Sequence, residues 1–217
     1  MKNDKILDLE KRRVLYNYIS NHPGIHLREV KRRINMPYGT LRYHLGYLCK
    51  NELIEARKQG RFLRYYKYNN IGINDKKLLN VLRQVPMRKV ILVLFMYTSC
   101  SLTELTKHIK YHTSLGEDNI ECYDRSPSSL IVHLKKLVDM DIIECDSSKR
   151  EVSYTIKDYD AVFRILIAYE DSFFDAQVSA VVNWITMWTK DSSKDVSKNI
   201  DSITDAIYEV MPHPYHV

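Results

Sequence analysis

Glycine is scarce in this chain, six in 217 residues, and none of the six builds a dinucleotide or P-loop pattern, so nucleotide chemistry of those kinds is excluded. The four cysteines, Cys49, Cys100, Cys122 and Cys145, stand singly with no CxxC pair. Neither a disulfide framework nor a close metal knuckle is indicated, and a reducing cytoplasm is the expected compartment. The longest apolar runs, such as Val90 to Met96, fall far short of the ~20 residues that a membrane span needs. No apolar signal region follows the charged start MKNDKILDLEKRR. Acidic side chains fall on expected helix surfaces and the serines lack a nucleophile context, so no general acid meets a base. No enzyme, cofactor, metal site or membrane partner is expected. His108 and His112 stand at a spacing that two zinc ligands could use, but no second close pair accompanies them.

What is present is a strongly divided charge. The net charge is +6, but Lys and Arg outnumber Asp and Glu by 16 to 6 in residues 1–70 and by 13 to 11 in 71–157, and are outnumbered 4 to 10 in 158–217. A basic head asks for an anionic partner, and the acidic tail has another task. With 45% hydrophobic residues the chain can bury substantial cores.

Apolar spacing predicts the order of elements. Leu7, Val14, Leu15, Tyr18 and Ile19 mark a first helix that ends at His22, Pro23 and Gly24. Ile25 and His26 suit a short strand, and LREVKRRI (27–34) a basic second helix. MPYGTLRYHLGYLCK (36–50) reads as a third helix, entered through Pro37, with Leu41, Leu45 and Leu48 on one face and Tyr38, Thr40, Arg42 and Tyr43 on the other. LIEARK (53–58) and RFLRYYKY (61–68), joined at Gln59 and Gly60, read as a hairpin. The pattern then recurs. LREVKRRI matches LTELTKHI (102–109) at an offset of 75, and from Thr40 onward an offset of 89 pairs Leu41, His44, Leu45, Leu48 and Ile54 with Leu130, His133, Leu134, Leu137 and Ile143. The change of offset marks an insertion at 110–126.

IHLREVKRRINMPYGTLRYHLGYLCKNELIEARKQGRFLRYYKY resembles the winged helix-turn-helix of archaeal transcriptional regulators related to the ArsR and MarR families. The PGIHLREV and GTLRYHL pairing with the duplicated unit resembles the regulators that carry two such domains in tandem. The resemblance implies a mainly α fold with small β wings: a DNA-binding domain (1–70), a second, degenerate copy (71–157) and a C-terminal helical region (158–217) that such extensions use to dimerise.

Residue chemistry points the same way. A helix fits the roughly 12 Å major groove with its exposed amino-terminal residues at the base edges. Arg42 can hold guanine in a bidentate manner and Thr40 can meet a base or a thymine methyl, while Tyr38 and Tyr43 reach phosphates and Gly39 allows close approach. Arg28, Lys31 and Arg32 suit phosphates from the second helix. Lys58, Gly60, Arg61 and Arg64 form a wing for the minor groove. His44, matched by His133, is expected to make a structural hydrogen bond.

In the second unit Ile131 and Val132 replace Arg42 and Tyr43, which implies burial there and a packing role. Beyond Asp158, Val162, Leu166, Tyr169, Phe173, Ala180, Trp184 and Met187 recur as one helical seam, read as a dimer contact. A last amphipathic helix is expected at Ile200 to Met211. The resulting expectation is a homodimeric regulator of transcription on double-stranded DNA. Its rivals are a winged-helix module that binds transcription machinery and a sensor with a small-molecule pocket among Tyr169, Phe173, Trp184 and Trp188.

Overall fold

The computed structural model describes residues 9–114, 127–148 and 151–191. The chain divides into two compact units, the first ending at Arg83 and the second beginning at Gln84.

The first unit runs α1 (Glu10–Asn21), β1 (Ile25–His26), α2 (Leu27–Arg33), α3 (Tyr38–Lys50), β2 (Ile54–Gln59), β3 (Phe62–Lys67) and α4 (Ile73–Leu82). Leu15 and Ile19 of α1, Val30 of α2 and Leu41, Leu45 and Leu48 of α3 meet Ile25, Ile54 and Tyr65 of the sheet in one buried cluster. Each such aliphatic side chain contributes roughly 1.5–3 kcal/mol by leaving water. The antiparallel sheet has the order β1-β3-β2, so β3 is central and its side chains are the most enclosed. At the hairpin Gln59 pairs with Phe62 and Gly60 takes a φ of +60°, the left-handed residue that a two-residue loop of type II′ requires at its first position. Gly24 is also left-handed, and a Cβ there would lie 3.4 Å from the Tyr66 ring.

The helix α4 changes the boundary expected at residue 70. It lies against the wing: Lys76 pairs with Glu55 at 2.5 Å, and Gln59 donates to the Lys76 carbonyl at 3.4 Å. Arg83 closes the unit by donating from Nη2 to the Pro23 carbonyl at 2.9 Å.

The second unit runs α5 (Val85–Tyr97), β4 (Ser99–Ser101), α6 (Leu102–Ser114), α7 (Pro127–Asp139), β5 (Ile143–Asp146), β6 (Ser153–Ile156), α8 (Tyr159–Tyr169), a 3-10 turn (Glu170–Phe173) and α9 (Ala176–Asp191). Its sheet order, β4-β6-β5, follows that of the first. The registers also correspond: Ile25 opposite Tyr65 and Ile54 opposite Lys67 in one, Cys100 opposite Tyr154 and Ile143 opposite Ile156 in the other, separated by the offsets of 75 and 89. Met87 and every residue from Val90 to Phe95 are buried, as befits a helix surrounded by its neighbours. Most of the insertion between α6 and α7 lies outside the described residues.

The C-terminal seam is not continuous. The helix stops at Tyr169, and Phe174 adopts a left-handed conformation, φ +51°, before Asp175 caps α9 through the Gln177 N–H at 2.9 Å. Val162, Leu166 and Phe173 are buried within the second unit itself, because α8, the turn and α9 pack on one another and on α5. These three side chains are core rather than dimer surface. Tyr169 is half-buried and Ala180 exposed. The side chains of Trp184, Met187 and Trp188, and the segment Ile200 to Met211, lie outside the described residues. Among the described residues no helix is long and apolar enough to cross a membrane.

Candidate nucleic-acid interface

The exposed face of α3 is produced by its own periodicity. At about 100° per residue, Leu41, His44, Leu45 and Leu48 cluster on the inner side and are buried, while Tyr38, Gly39, Arg42, Tyr43, Gly46 and Lys50 point outward. Tyr38 is 47% exposed and Tyr43 62%, values high for rings that serve only as packing. Thr40 is half-buried. Pro37 precedes the helix in an extended conformation, and its carbonyl accepts from the Leu41 N–H at 2.9 Å.

The two helices of the turn share this face. Lys31 of α2 places its Nζ 5.7 Å from the Tyr38 ring centroid, and the Arg42 guanidinium lies 5.8 Å from the same ring. Tyr38 thus joins two exposed cations, one from each helix, through cation–π attraction. Arg28 and Lys31 are exposed and suited to phosphates. Arg32 is also exposed but is engaged by Glu29, which takes Arg33 as well. Burial pushes the Glu29 carboxyl up, yet the hydrogen bonds and charges of Arg32 and Arg33 leave it below its ordinary value. Arg32 therefore offers less net charge to DNA than the sequence implies.

The wing divides likewise. Lys58, Gly60 and Arg61 are exposed at the tip, and Phe62 and Leu63 are partly exposed beside them. Arg64, expected at this exposed wing, does not belong to it. It is buried, 3% exposed, and its Nη1 donates to the Gly24 carbonyl at 2.6 Å. Position on the central strand turns Arg64 into a tie between β3 and the turn before β1, and burial lowers its pKa. Arg57, opposite Arg64 in the ladder, pairs with Glu55 at 2.8 Å.

His26, expected only as part of a strand, also caps α2 by accepting the Glu29 N–H at Nδ1, 3.1 Å. Its ring stacks on Phe62 with centroids 5.1 Å apart. Burial and then the Arg64 charge lower its pKa, in keeping with a ring nitrogen that accepts a hydrogen bond. His44 does not make the expected bond. Its Nδ1 and that of His133 are buried without a hydrogen-bond partner among the described residues. Burial, followed by the charges of Arg12 and Lys11, lowers the pKa of His44, which disfavours a charged ring at this place in α3.

In the second unit Ile131 and Val132 are 49% and 65% exposed, not buried as expected. They occupy the outer face of α7 that Arg42 and Tyr43 occupy in α3. Lys135 and Lys136 are exposed next to them. Lys149 and Arg150 fall outside the described residues. Cys100 is buried with its thiol pushed up to about 12 by burial and then by Glu104, whereas Cys145 is exposed. His108 stacks on Tyr97 at 3.8 Å, and no cluster of three metal-ligating side chains occurs among the described residues.

Comparison with known proteins bears on the first unit most directly. A family model described as an N-terminal HTH domain matches residues 9–78, the span from α1 into α4. An uncharacterized HTH-type transcriptional regulator of Methanocaldococcus jannaschii is 28% identical over 158 residues, 73% of this chain. The chain spans 36% of the length of that protein. The exposed cationic face of α3 therefore sits within the span matched by a helix-turn-helix domain.

Proposed function

We propose that the chain is a sequence-specific DNA-binding transcription regulator whose α3 enters the major groove while the β2–β3 wing reaches the adjacent minor groove. The observation that carries this reading is the outward set Tyr38, Arg42 and Tyr43 on α3, joined to Lys31 of α2, in a span matched as a helix-turn-helix domain. The Methanocaldococcus jannaschii relative, named as an HTH-type transcriptional regulator, adds support for a regulator. Matching sheet orders and registers support reading the two units as tandem winged helices, related to the ArsR and MarR type, of which the second is degenerate. The protein would work in the cytoplasm as a homodimer on half-sites roughly 34–36 Å apart, or a multiple of that.

A gel-shift titration of genomic fragments against competitor DNA tests the reading. Preferential retention of some fragments is the expected result, and equal retention of all would remove sequence specificity. On the preferred fragment Arg42→Ala should cost about 1–3 kcal/mol and relax base choice at one position. Arg61→Ala should weaken all duplexes evenly and reduce the salt slope by about one. Identical behaviour of the two variants would take base reading away from Arg42.

A second reading concerns α7 alone. Its exposed Ile131 and Val132 supply no hydrogen-bond donors for base edges, which favours protein contact, with transcription machinery among the candidates, over base reading by that unit. The footprint of an Ile131→Ala/Val132→Ala variant should match that of the parent. A shortened footprint would assign α7 to DNA after all.

A further inference from the structure

The exposed face of α3 has two flanks, and different elements border them. Tyr38 and Arg42 lie on one flank, where their side chains interact electrostatically with Tyr65 of β3. Tyr43 and Tyr47 lie on the other, stepped by one helical turn with ring centroids 6.5 Å apart. There the neighbour is the start of α1. The Arg12 guanidinium stacks on the Tyr47 ring at 3.8 Å, and the charges of Lys11 and Arg12 both reach His44. Lys11 is exposed and Arg12 half-buried, with its Nε enclosed and without a hydrogen-bond partner among the described residues.

A helix in the major groove has a phosphate strand on each side of it. The wing supplies cations on one side. We propose that the first turn of α1, through Lys11 and the ring-seated Arg12, grips the phosphates of the opposite strand. This proposal rests on the DNA-binding reading above and adds a second backbone contact to it. Two features of Arg12 suit that task. Stacking on Tyr47 fixes the planar guanidinium, so little side-chain entropy remains to be lost on binding, and the ladder Arg12–Tyr47–Tyr43 connects it physically to the reading face. Lys11, a flexible point charge, contributes counterion release rather than geometry.

The clamp can be tested without knowing the operator. Full-length chain is titrated with a random-sequence duplex between 50 and 200 mM salt, with circular dichroism melting as a control on each variant. Lys11→Gln and Arg12→Gln are each expected to make the slope of log affinity against log salt shallower by about 0.9. Over that fourfold range each variant would lose about 3.5-fold less affinity than the parent. Arg12→Lys, which keeps the charge, should restore the parental slope. Lys11 is exposed, so its variant keeps the test open even where Arg12→Gln unfolds. Parental slopes in both glutamine variants, with a reduced slope in Arg61→Ala, would overturn the clamp while leaving DNA binding by α3 and the wing intact. Absence of salt-dependent duplex binding by the parent chain would instead overturn the DNA reading, and the clamp with it.

Discussion

Replacing Arg88 by methionine is expected to lower the stability of the second unit by about 3–5 kcal/mol, the range for breaking a buried ion pair from one side. The Arg88 and Asp175 side chains are 6% and 11% exposed, and the guanidinium reaches Asp175 Oδ2 through Nη2 at 2.6 Å and through Nε at 2.7 Å. The bond spans α5 and the residue that caps α9. Methionine fills much of the same volume but leaves a carboxylate enclosed, with the Gln177 N–H still bound to its other oxygen. The penalty is therefore that of an uncompensated charge more than of lost packing. Asp175→Asn keeps a capping side chain and removes the charge, so the double variant Arg88→Met/Asp175→Asn should recover most of the loss. Urea unfolding followed by tryptophan fluorescence reports on this unit, because Trp184 and Trp188 are the only tryptophans. A midpoint shift worth less than about 1 kcal/mol in the single variant, or simple additivity in the double, would mean that the pair does not hold α9 to α5.

How much of this molecule could be read from the sequence depends on the side chain concerned. The helix-turn-helix was legible because apolar spacing sets which face is buried: Leu41, Leu45 and Leu48 are enclosed and Tyr38, Arg42 and Tyr43 are not, as their periodicity requires. The hairpin was legible because Gly60 sits between two runs rich in strand-forming side chains. Buried charged residues leave no such local signature. Arg64, Lys76 and Arg88 are all buried, and a buried cation differs from an exposed one only in having an acceptor across the fold, which local pattern does not reveal. Arg64 is counted with the wing by spacing and removed from it by the Gly24 carbonyl. The break at Phe174 was equally hidden. No glycine or proline marks it: the left-handed residue is Phe174, and the next helix is capped by Asp175, which Arg88 holds from α5. Ile131 and Val132 show the converse error: an apolar pair was expected inside, yet α7 already buries Leu130, Leu134 and Leu137 on its other face, so no interior position remained for them.

Lys76→Ala is expected to cost the first unit about 3 kcal/mol, near the lower end for a broken buried pair, because Arg57 remains to share the Glu55 charge. Lys76 and Glu55 side chains are 7% and 12% exposed, and Nζ meets Oε1 at 2.5 Å beneath the Tyr66 ring, 5.7 Å away. The pair also makes stability depend on pH. Burial alone would push the Glu55 carboxyl up, but hydrogen bonds from Lys76 and Arg57 and their charges outweigh it and hold the group below its ordinary value. A carboxyl depressed in the folded state stabilises above its unfolded pKa, about 4.3, and that contribution is lost as pH falls through the lower folded value. The acid limb of a stability profile, from about pH 5 downward, should therefore be steeper in the parent than in Glu55→Gln, which carries no such proton. Superimposable acid limbs would show that Glu55 is not held in this way. The consequence reaches DNA, because Glu55 lies on β2 and Lys76 on α4. A chain without the Lys76 side chain loses the ion pair between the wing and α4 and keeps only the longer bond from Gln59 to the carbonyl of residue 76 among the ties named above, so Lys58 and Arg61 are held less firmly. Its affinity for duplex should fall further than its net charge, one unit lower, explains, whereas the reading by Arg42 on α3 should persist.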